Sequence, residues 1–291
     1  MCEIVQRFVY PISSLWNEGS NRSQRMRRLA IFFGWQLWKR LVRKPITVEL
    51  FNNARFIAYP DCQVSAGILY TRIPNSRNVV FLREHLAGGT LIDVGANVGS
   101  VSLLLSDKIS HAILFEPNPL AAARARENLA LNHLKFDVYE LALSDMTGEV
   151  EFEWNGGVDT VGHVVINKRS ADSSKLTNTV PCVTFDEFLT HHGYPQFEIS
   201  LVKIDVEGHE NSVLRGMRRF LLERRPPLIT FEYLQRTNLK ETLNLFSGVR
   251  YQVFELKQGL PVAVKERAEP LQDLFACPQE HMPALGLGST S

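Results

Sequence analysis

The rhythm of apolar and polar positions changes near residue 90. Before it, the strand-like runs "ITVELF" and "RFIAYP" are broken by the turn pairs Asn52-Asn53 and Pro60-Asp61. After it, compact apolar runs alternate with helical periodicity, which predicts successive βαβ units and a mostly parallel sheet. "TLIDV" reads as a buried strand, "GANVG" as a glycine turn, and "VGSVSLLLSD" as a helix with Val98, Val101, Leu104 and Leu105 on one side. "HAILFE" gives a second strand closed by Pro117. Asn118 then caps a helix that has Pro119 at its first position and runs to Asn132. "FDVYELAL" predicts a third strand ending at Ser144-Asp145, "ISLVKIDV" a fourth and "PPLITFEY" a fifth, with "YQVFEL" and "LQDLFACP" as the last. After the fourth strand, Val213, Leu214, Met217, Phe220 and Leu221 share one face of a helix and Arg215, Arg218 and Arg219 the other.

This rhythm divides the chain into an N-terminal extension (1–76), an α/β domain (77–282) and an unstructured tail (283–291). Residues 148–183 break the alternation with "EVEFEW", "VGHVVIN" and "NTVPCVTF", a β-rich insertion, before a short helix from Asp186 to about His192.

Composition narrows the class. Apolar residues make up 45% and charged residues 22%, ordinary for a globular protein, and a net charge of +1 implies no nucleic-acid partner. Cys2, Cys62, Cys182 and Cys277 are scattered, which argues against a zinc cluster or disulfide framework and for a reducing, cytoplasmic compartment. The first residues lack the pattern of a signal peptide, and no apolar run reaches the roughly 18 residues that a spanning helix needs. Charge is nevertheless uneven: between Arg22 and Lys44 there are many basic residues, aromatic side chains and no acid. Such a helix suits peripheral contact with an anionic membrane, or a helix packed on the main domain with its arginines in water. The breadth of its apolar face favours packing.

"DVGANVG", residues 93–99, carries the most chemistry. A glycine turn between a first strand and its helix lets a ligand approach the backbone. Dinucleotides need G-x-G-x-x-G, but Gly95 and Gly99 frame Asn97, so a side chain stands where pyrophosphate needs bare backbone. Asp93 would repel a diphosphate, yet suits the ammonium of S-adenosylmethionine. Glu116 follows Gly95 by about 20 residues, where a carboxylate accepts the ribose hydroxyls of an adenosine. Ser144-Asp145, at the end of the third strand, would reach the adenine amino group. Acids at three successive strand ends favour a cofactor site over independent caps.

The fourth strand runs into "DVEGHE", residues 205–210. In an open parallel sheet ligands bind outside the carboxyl ends of the strands, where strand order reverses, so Asp205 would face the transferable methyl, with Glu207 on the same side. Transfer to a hydroxyl needs a base; Asp205 and His209 are the candidates, with Glu207 orienting acceptor or histidine. As plain structure, His209 would cap the next helix and Glu210 complement its dipole. A divalent metal fits such acids, but two acids on one strand without ligands from elsewhere do not favour it. "D-V-E-G" stands where enzymes methylating base or amide nitrogens carry "N-P-P-Y". A nicotinamide oxidoreductase and a non-catalytic S-adenosylmethionine-binding module are the other readings; the first meets the obstacle of Asn97, the second has no use for Asp205 and Glu207.

Together, "LIDVGANVGSVSLLL", "FEPNP", "ALSDMTGEVEF", "TFDEFL" and "LVKIDVEGHENSVLRGM" resemble the FkbM family of S-adenosylmethionine-dependent methyltransferases, over about residues 77–235 with a weaker echo in "DLFACP". The resemblance implies a class I methyltransferase (Rossmann-like) fold, a seven-stranded, mostly parallel sheet with its last strand antiparallel. It implies O-methylation of a small-molecule or glycan hydroxyl, on a sugar or polyketide-type acceptor. Carried over by motif, the cofactor positions are Asp93, Gly95, Asn97, Gly99, Glu116 and Asp145, with Asn118 and Ser144 beside them, and Asp205 is the strand-four acid. Residues 1–76 and 148–183 match no fixed pattern and are expected to carry acceptor choice.

Overall fold

The computed structural model describes residues 22–71, 76–154, 163–164, 176–193, 198–235, 237–266 and 272–287. Helix α1 (Arg22–Leu41) leads into the hairpin of β1 (Ile46–Glu49) and β2 (Arg55–Ala58), then α2 (Gln63–Thr71) and α3 (Ser76–His85). The alternating region follows as β3 (Thr90–Val94), α4 (Ser100–Leu104), β4 (His111–Phe115), α5 (Pro119–Ala130) and β5 (Lys135–Tyr139). A small sheet comes next, from β6 (Ala142–Leu143), β7 (Gly148–Trp154), β8 (His163–Val164) and β9 (Leu176–Val183). The chain continues through α6 (Phe185–His192), β10 (Ile199–Ile204), α7 (Glu210–Gly216), α8 (Arg218–Arg224), β11 (Ile229–Tyr233), α9 (Leu239–Gly248), β12 (Tyr251–Lys257), β13 (Leu260–Ala263) and β14 (Gln272–Pro278).

The main sheet has the order β13-β12-β14-β11-β10-β3-β4-β5. From β11 to β5 all neighbours run parallel, and β14 lies antiparallel between β11 and β12. This is the class I methyltransferase arrangement. The eighth strand, β13, exceeds the expected seven: Gln258 and Gly259 both take positive φ, a turn that folds β13 back as a hairpin on the edge strand β12. Strand order reverses between β3 and β10, which fixes the ligand crevice at their carboxyl ends.

Period-two alternation divides the core. Leu91, Ala112 and Leu114 face one side of the sheet, while Ile92, Val94, Ile113 and Phe115 face the other. The first face is covered by Leu103, Leu104, Ala125 and Leu129 of α4 and α5, by Phe81 of α3, and by Phe32, Trp35, Phe56 and Ile68 from the N-terminal extension. That extension therefore shares the core of the sheet. Phe185, Phe188, Val213, Met217, Phe220 and Phe246 cover the second face.

Several elements depart from their sequence expectations. "FDVYELAL" is two strands, because β5 stops at Tyr139 and Ala142-Leu143 are drawn off to pair in parallel with Cys182-Val183 of β9. The helix after β10 breaks at Met217, where Gly216 presses so closely on β6 that a Cβ there would lie 1.9 Å from the Ser144 carbonyl oxygen. Pro283 onward was expected to be unstructured, but a 3-10 helix spans Gln279–Leu285 and buries Met282. Of "VGHVVIN", only His163 and Val164 fall within the described residues, as β8. Cys62, Cys182 and Cys277 are buried, and among the described residues they form no disulfide. Among the described residues no helix is long and apolar enough to cross a membrane.

Candidate functional site

The crevice opens at the end of β3. Gly95, Asn97 and Gly99 all adopt positive φ, so the chain coils tightly between strand and helix. The Gly95 and Ala96 N–H groups both donate to the Phe115 carbonyl, which ties the turn to β4. A Cβ on Gly95 would lie 1.9 Å from the Asp205 carbonyl oxygen, so the turn also touches the end of β10. Gly95→Ala is expected to cost about 1–3 kcal/mol from left-handed backbone alone, with the clash adding to it. A lowered thermal midpoint checks this; an unchanged midpoint would mean the turn has room to move.

Glu116 sits at the end of β4, buried, one oxygen accepting from the Asn97 N–H at 2.8 Å and the other from the Asn118 N–H at 2.9 Å. Burial pushes its carboxyl up to about 7, against the pull of those two donors and of Lys203. Each oxygen keeps a second lone pair. Asn118 also caps α5, its side-chain oxygen accepting from the N–H groups of Leu120 and Ala121.

These residues line one cavity of about 230 Å³. Its wall includes Gly95, Asn97, Glu116 and Asn118 on one side and Asp205, Glu207 and His209 on the other. Phe115, Leu141, Ala142 and Leu143 add an apolar surface. Two residues of this lining carry a buried polar atom with no hydrogen-bond partner: the Asn97 side-chain oxygen and His209 Nδ1.

Other expected cofactor residues lie behind this wall. Asp93 is fully buried beneath it, accepting from Ser102 Oγ at 2.9 Å, with its other oxygen 3.3 Å from Lys203 Nζ. Within the protein its charge is met by Ser102 and Lys203. Gly99 packs against Ala125 and Leu129 of α5. Ser144 and Asp145 do not reach the cavity, because the chain has already left the main sheet at Tyr139. Ser144 instead lies 2.9 Å from His209 Nε2, and its hydroxyl donates to Asp145 at 3.2 Å. Arg215 Nε donates to Asp145 at 2.9 Å and, although partial burial acts upward, holds that carboxyl below its ordinary range.

The direction of the Ser144 hydroxyl decides the imidazole's tautomer. When that hydroxyl donates to Asp145, the serine oxygen accepts from His209 Nε2–H and the lone pair stays on Nδ1. Burial lowers the histidine's affinity for a second proton. His209 occupies the N-cap position before α7, but its side chain makes no capping hydrogen bond. Glu210 is fully buried, closing the turn by accepting from the N–H groups of Val206 and Gly208, instead of complementing a helix dipole from solvent.

The strand itself ends at Ile204, and Glu207 takes a left-handed conformation, so Asp205 and Glu207 meet through a turn rather than on one face of a strand. Asp205 remains tethered, its N–H donating to the Val94 carbonyl and its carboxylate 3.5 Å from Lys203 Nζ. Glu232 of β11 approaches from the neighbouring strand: Asp205, Glu207 and Glu232 offer oxygens all within 4.8 Å of one another. Burial, then Asp205 and Glu207, push Glu232 up to about 8, so near neutral pH it carries a proton.

Lys203, Ser102 and Glu232 escaped the sequence reading, as did Gln63 and Val64 of α2 and Phe152 and Val164 of the small sheet, which complete the cavity lining. A lysine inside the apolar strand "ISLVKI" was the one visible signal, since a buried ammonium requires acidic partners.

A family model described as the methyltransferase FkbM domain matches residues 93–255. The hexuronic acid methyltransferase AglP of Haloferax volcanii is 30% identical over 180 residues, which is 62% of this chain and 71% of that protein. The 2-O-methyltransferase NoeI of Sinorhizobium fredii is 29% identical over 164 residues, covering 51% of this chain and 65% of that protein. Among solved structures, a precorrin-6y C5,15-methyltransferase from Geobacter metallireducens aligns with a TM-score of 0.41 and 15% identity, over 69% of this chain and 86% of that one.

Proposed function

Because the chain belongs to the FkbM methyltransferase family, we propose that it is an S-adenosylmethionine-dependent O-methyltransferase acting on a sugar hydroxyl. The observation that carries the reading is one cavity with Glu116 and Asn97 on one wall and Asp205 and His209 on the other. The first wall fits the cofactor. Glu116 has lone pairs left for two ribose hydroxyls, the orphan Asn97 oxygen wants a donor such as an ammonium, and Phe115 with Leu141–Leu143 offers an adenine its apolar surface. The same Asn97 side chain obstructs a dinucleotide's pyrophosphate.

Bound S-adenosylmethionine supplies an electrophilic methyl on sulfonium. The protein's part is to hold the acceptor hydroxyl and take its proton. His209 Nδ1 has the lone pair for that, and Asp205 and Glu207 are placed to accept hydrogen bonds from a polyhydroxylated acceptor. Two relatives support the acceptor class, one a hexuronic acid methyltransferase and the other a 2-O-methyltransferase. Gln63 and Val64 come from the N-terminal extension and Phe152 and Val164 from the 148–183 segment, and we assign them acceptor selection.

Calorimetric titration tests the cofactor wall. Glu116→Gln is expected to weaken S-adenosylmethionine binding about ten- to a hundredfold, as a charge-assisted pair of hydrogen bonds is lost. Binding by the parent chain should also weaken as pH falls through about 7, because protonation removes an acceptor from Glu116. Glu116→Gln should abolish that dependence. Unchanged affinity in the variant would move the ribose contact elsewhere. Transfer of labelled methyl to uronic-acid-containing glycans separates an enzyme from a mere binder.

A divalent ion is the second reading, favoured by Glu232, the ligand from a neighbouring strand that the sequence did not offer. The proton on Glu232 and the ammonium of Lys203 already offset the cluster's charge, so full turnover is expected after exhaustive EDTA treatment. Loss of turnover restored by magnesium would establish the ion.

A further inference from the structure

Helix α1 has two apolar faces. Phe32 and Trp35 are buried in the core, with Phe32 5.2 Å from the ring of Tyr70 and Gln36 donating to the Tyr70 hydroxyl. One turn of the wheel away, Met26, Ala30, Phe33, Leu37 and Leu41 recur at intervals of three and four, which places them in a single row. That row points away from the body of the protein: Met26 is 60% exposed, Phe33 60%, Leu37 59% and Leu41 73%. A helix that only packs on its domain would carry polar residues there.

Charge surrounds the row. Arg27, Arg40, Arg43 and Lys44 are exposed, and between Glu18 and Glu49 the sequence has no acidic residue. With a net charge of +1 over the whole chain, the remainder carries an acidic excess. An anionic surface would therefore attract this helix and repel the rest, which orients the molecule. Trp38, at the edge of the row, is partly exposed, its indole N–H donating to the Lys44 carbonyl.

We infer that the outer face of α1 is a docking surface for an anionic lipid bilayer, with Phe33, Leu37 and Leu41 entering the headgroup boundary and Arg40, Arg43 and Lys44 meeting lipid phosphates. The helix lies in the plane of the surface, since no described helix is able to cross a membrane. Its inner face rests on α2, whose Gln63 and Val64 line the cavity, so the docked enzyme would hold its cavity wall one helix away from the lipid. Lipid docking and methyl transfer rest on separate residues, so either can fail without the other.

The test is co-sedimentation of the full chain with vesicles of phosphatidylcholine mixed with phosphatidylglycerol, and with vesicles of phosphatidylcholine alone. Binding is expected to the mixed vesicles, and to fall about fivefold for each charge removed by Arg40→Gln, Arg43→Gln or Lys44→Gln. Leu37→Asp/Leu41→Asp should lose at least about tenfold. These side chains are exposed, so thermal midpoint and cofactor affinity should stay at parent values and report an intact fold. Equal sedimentation of the parent and the aspartate variant would overturn the inference, as would equal binding to the two vesicle types. A parent chain that ignores vesicles but dimerises in light scattering, while Leu37→Asp/Leu41→Asp stays monomeric, would overturn it too and assign the row to a second copy.

Discussion

Lys203→Met is expected to cost about 3–5 kcal/mol of folding stability, read as a lower urea midpoint with an unchanged slope. The ammonium donates to the Gly95 carbonyl at 2.7 Å and lies 3.3 Å from Asp93 and 3.5 Å from Asp205. Burial by itself would drive Lys203 toward its neutral form; Asp205, then Asp93, reverse that and hold it charged. Methionine preserves most of the stem's packing, so the loss is chiefly electrostatic. Asp93, fully buried, would keep only the Ser102 hydroxyl, and an uncompensated buried carboxylate is among the costliest groups a core can hold. Adding Asp93→Asn should therefore recover part of the loss, because it removes the stranded charge. A functional effect follows through Glu116, whose proton Lys203 helps to expel. Without Lys203 that carboxyl holds its proton to higher pH, and cofactor affinity near neutrality should drop further than in the parent. Unaltered stability of Lys203→Met would show that the ammonium's desolvation cancels its pairing.

The elements that set this cluster were legible in unequal degree. Period-two and helical spacing were enough for β3, β4, β10 and β11, because strands buried on both faces read as uninterrupted apolar runs, and capping chemistry placed α5 at Asn118-Pro119. The glycine turn was legible too, since only glycine tolerates the approach of Gly95 to Asp205. What failed were inferences that needed a strand to keep its course. Ser144 and Asp145 were expected at the end of a long third strand, but the pairing of Ala142-Leu143 with β9 diverts the chain toward α7, and the same two residues now orient His209. Pairing with a distant strand leaves no local trace in the sequence. The cluster of Asp205, Glu207 and Glu232 was half visible for a similar reason: two members sit in one motif, while Glu232 arrives through the parallel register of β10 with β11. Likewise, the apolar breadth of α1 was evident, but which of its faces the protein covers depends on α2.

His209→Ala is expected to lower kcat about 10²–10⁴-fold while leaving S-adenosylmethionine affinity close to that of the parent, if, as proposed, the imidazole takes the acceptor's proton and makes no contact that Glu116 or Asn97 would share. The relay refines the prediction. Ser144→Ala removes the acceptor of Nε2–H and lets the ring exchange tautomers, so a smaller loss in kcat is expected with the base still present. The pH profile distinguishes chemistry from packing. Protonation of Nδ1 destroys the base, so kcat falls as pH drops through the histidine's pKa, and burial places that limb below the ordinary value of about 6.5. The Asp145 carboxylate raises the histidine's pKa, so Asp145→Asn should shift the limb to still lower pH. A purely structural His209 would leave the limb where it was. Should His209→Ala retain its kcat and the acid limb lie near 8, the proton acceptor is the carboxyl cluster around Glu232, the group that burial and its acidic neighbours poise in that range.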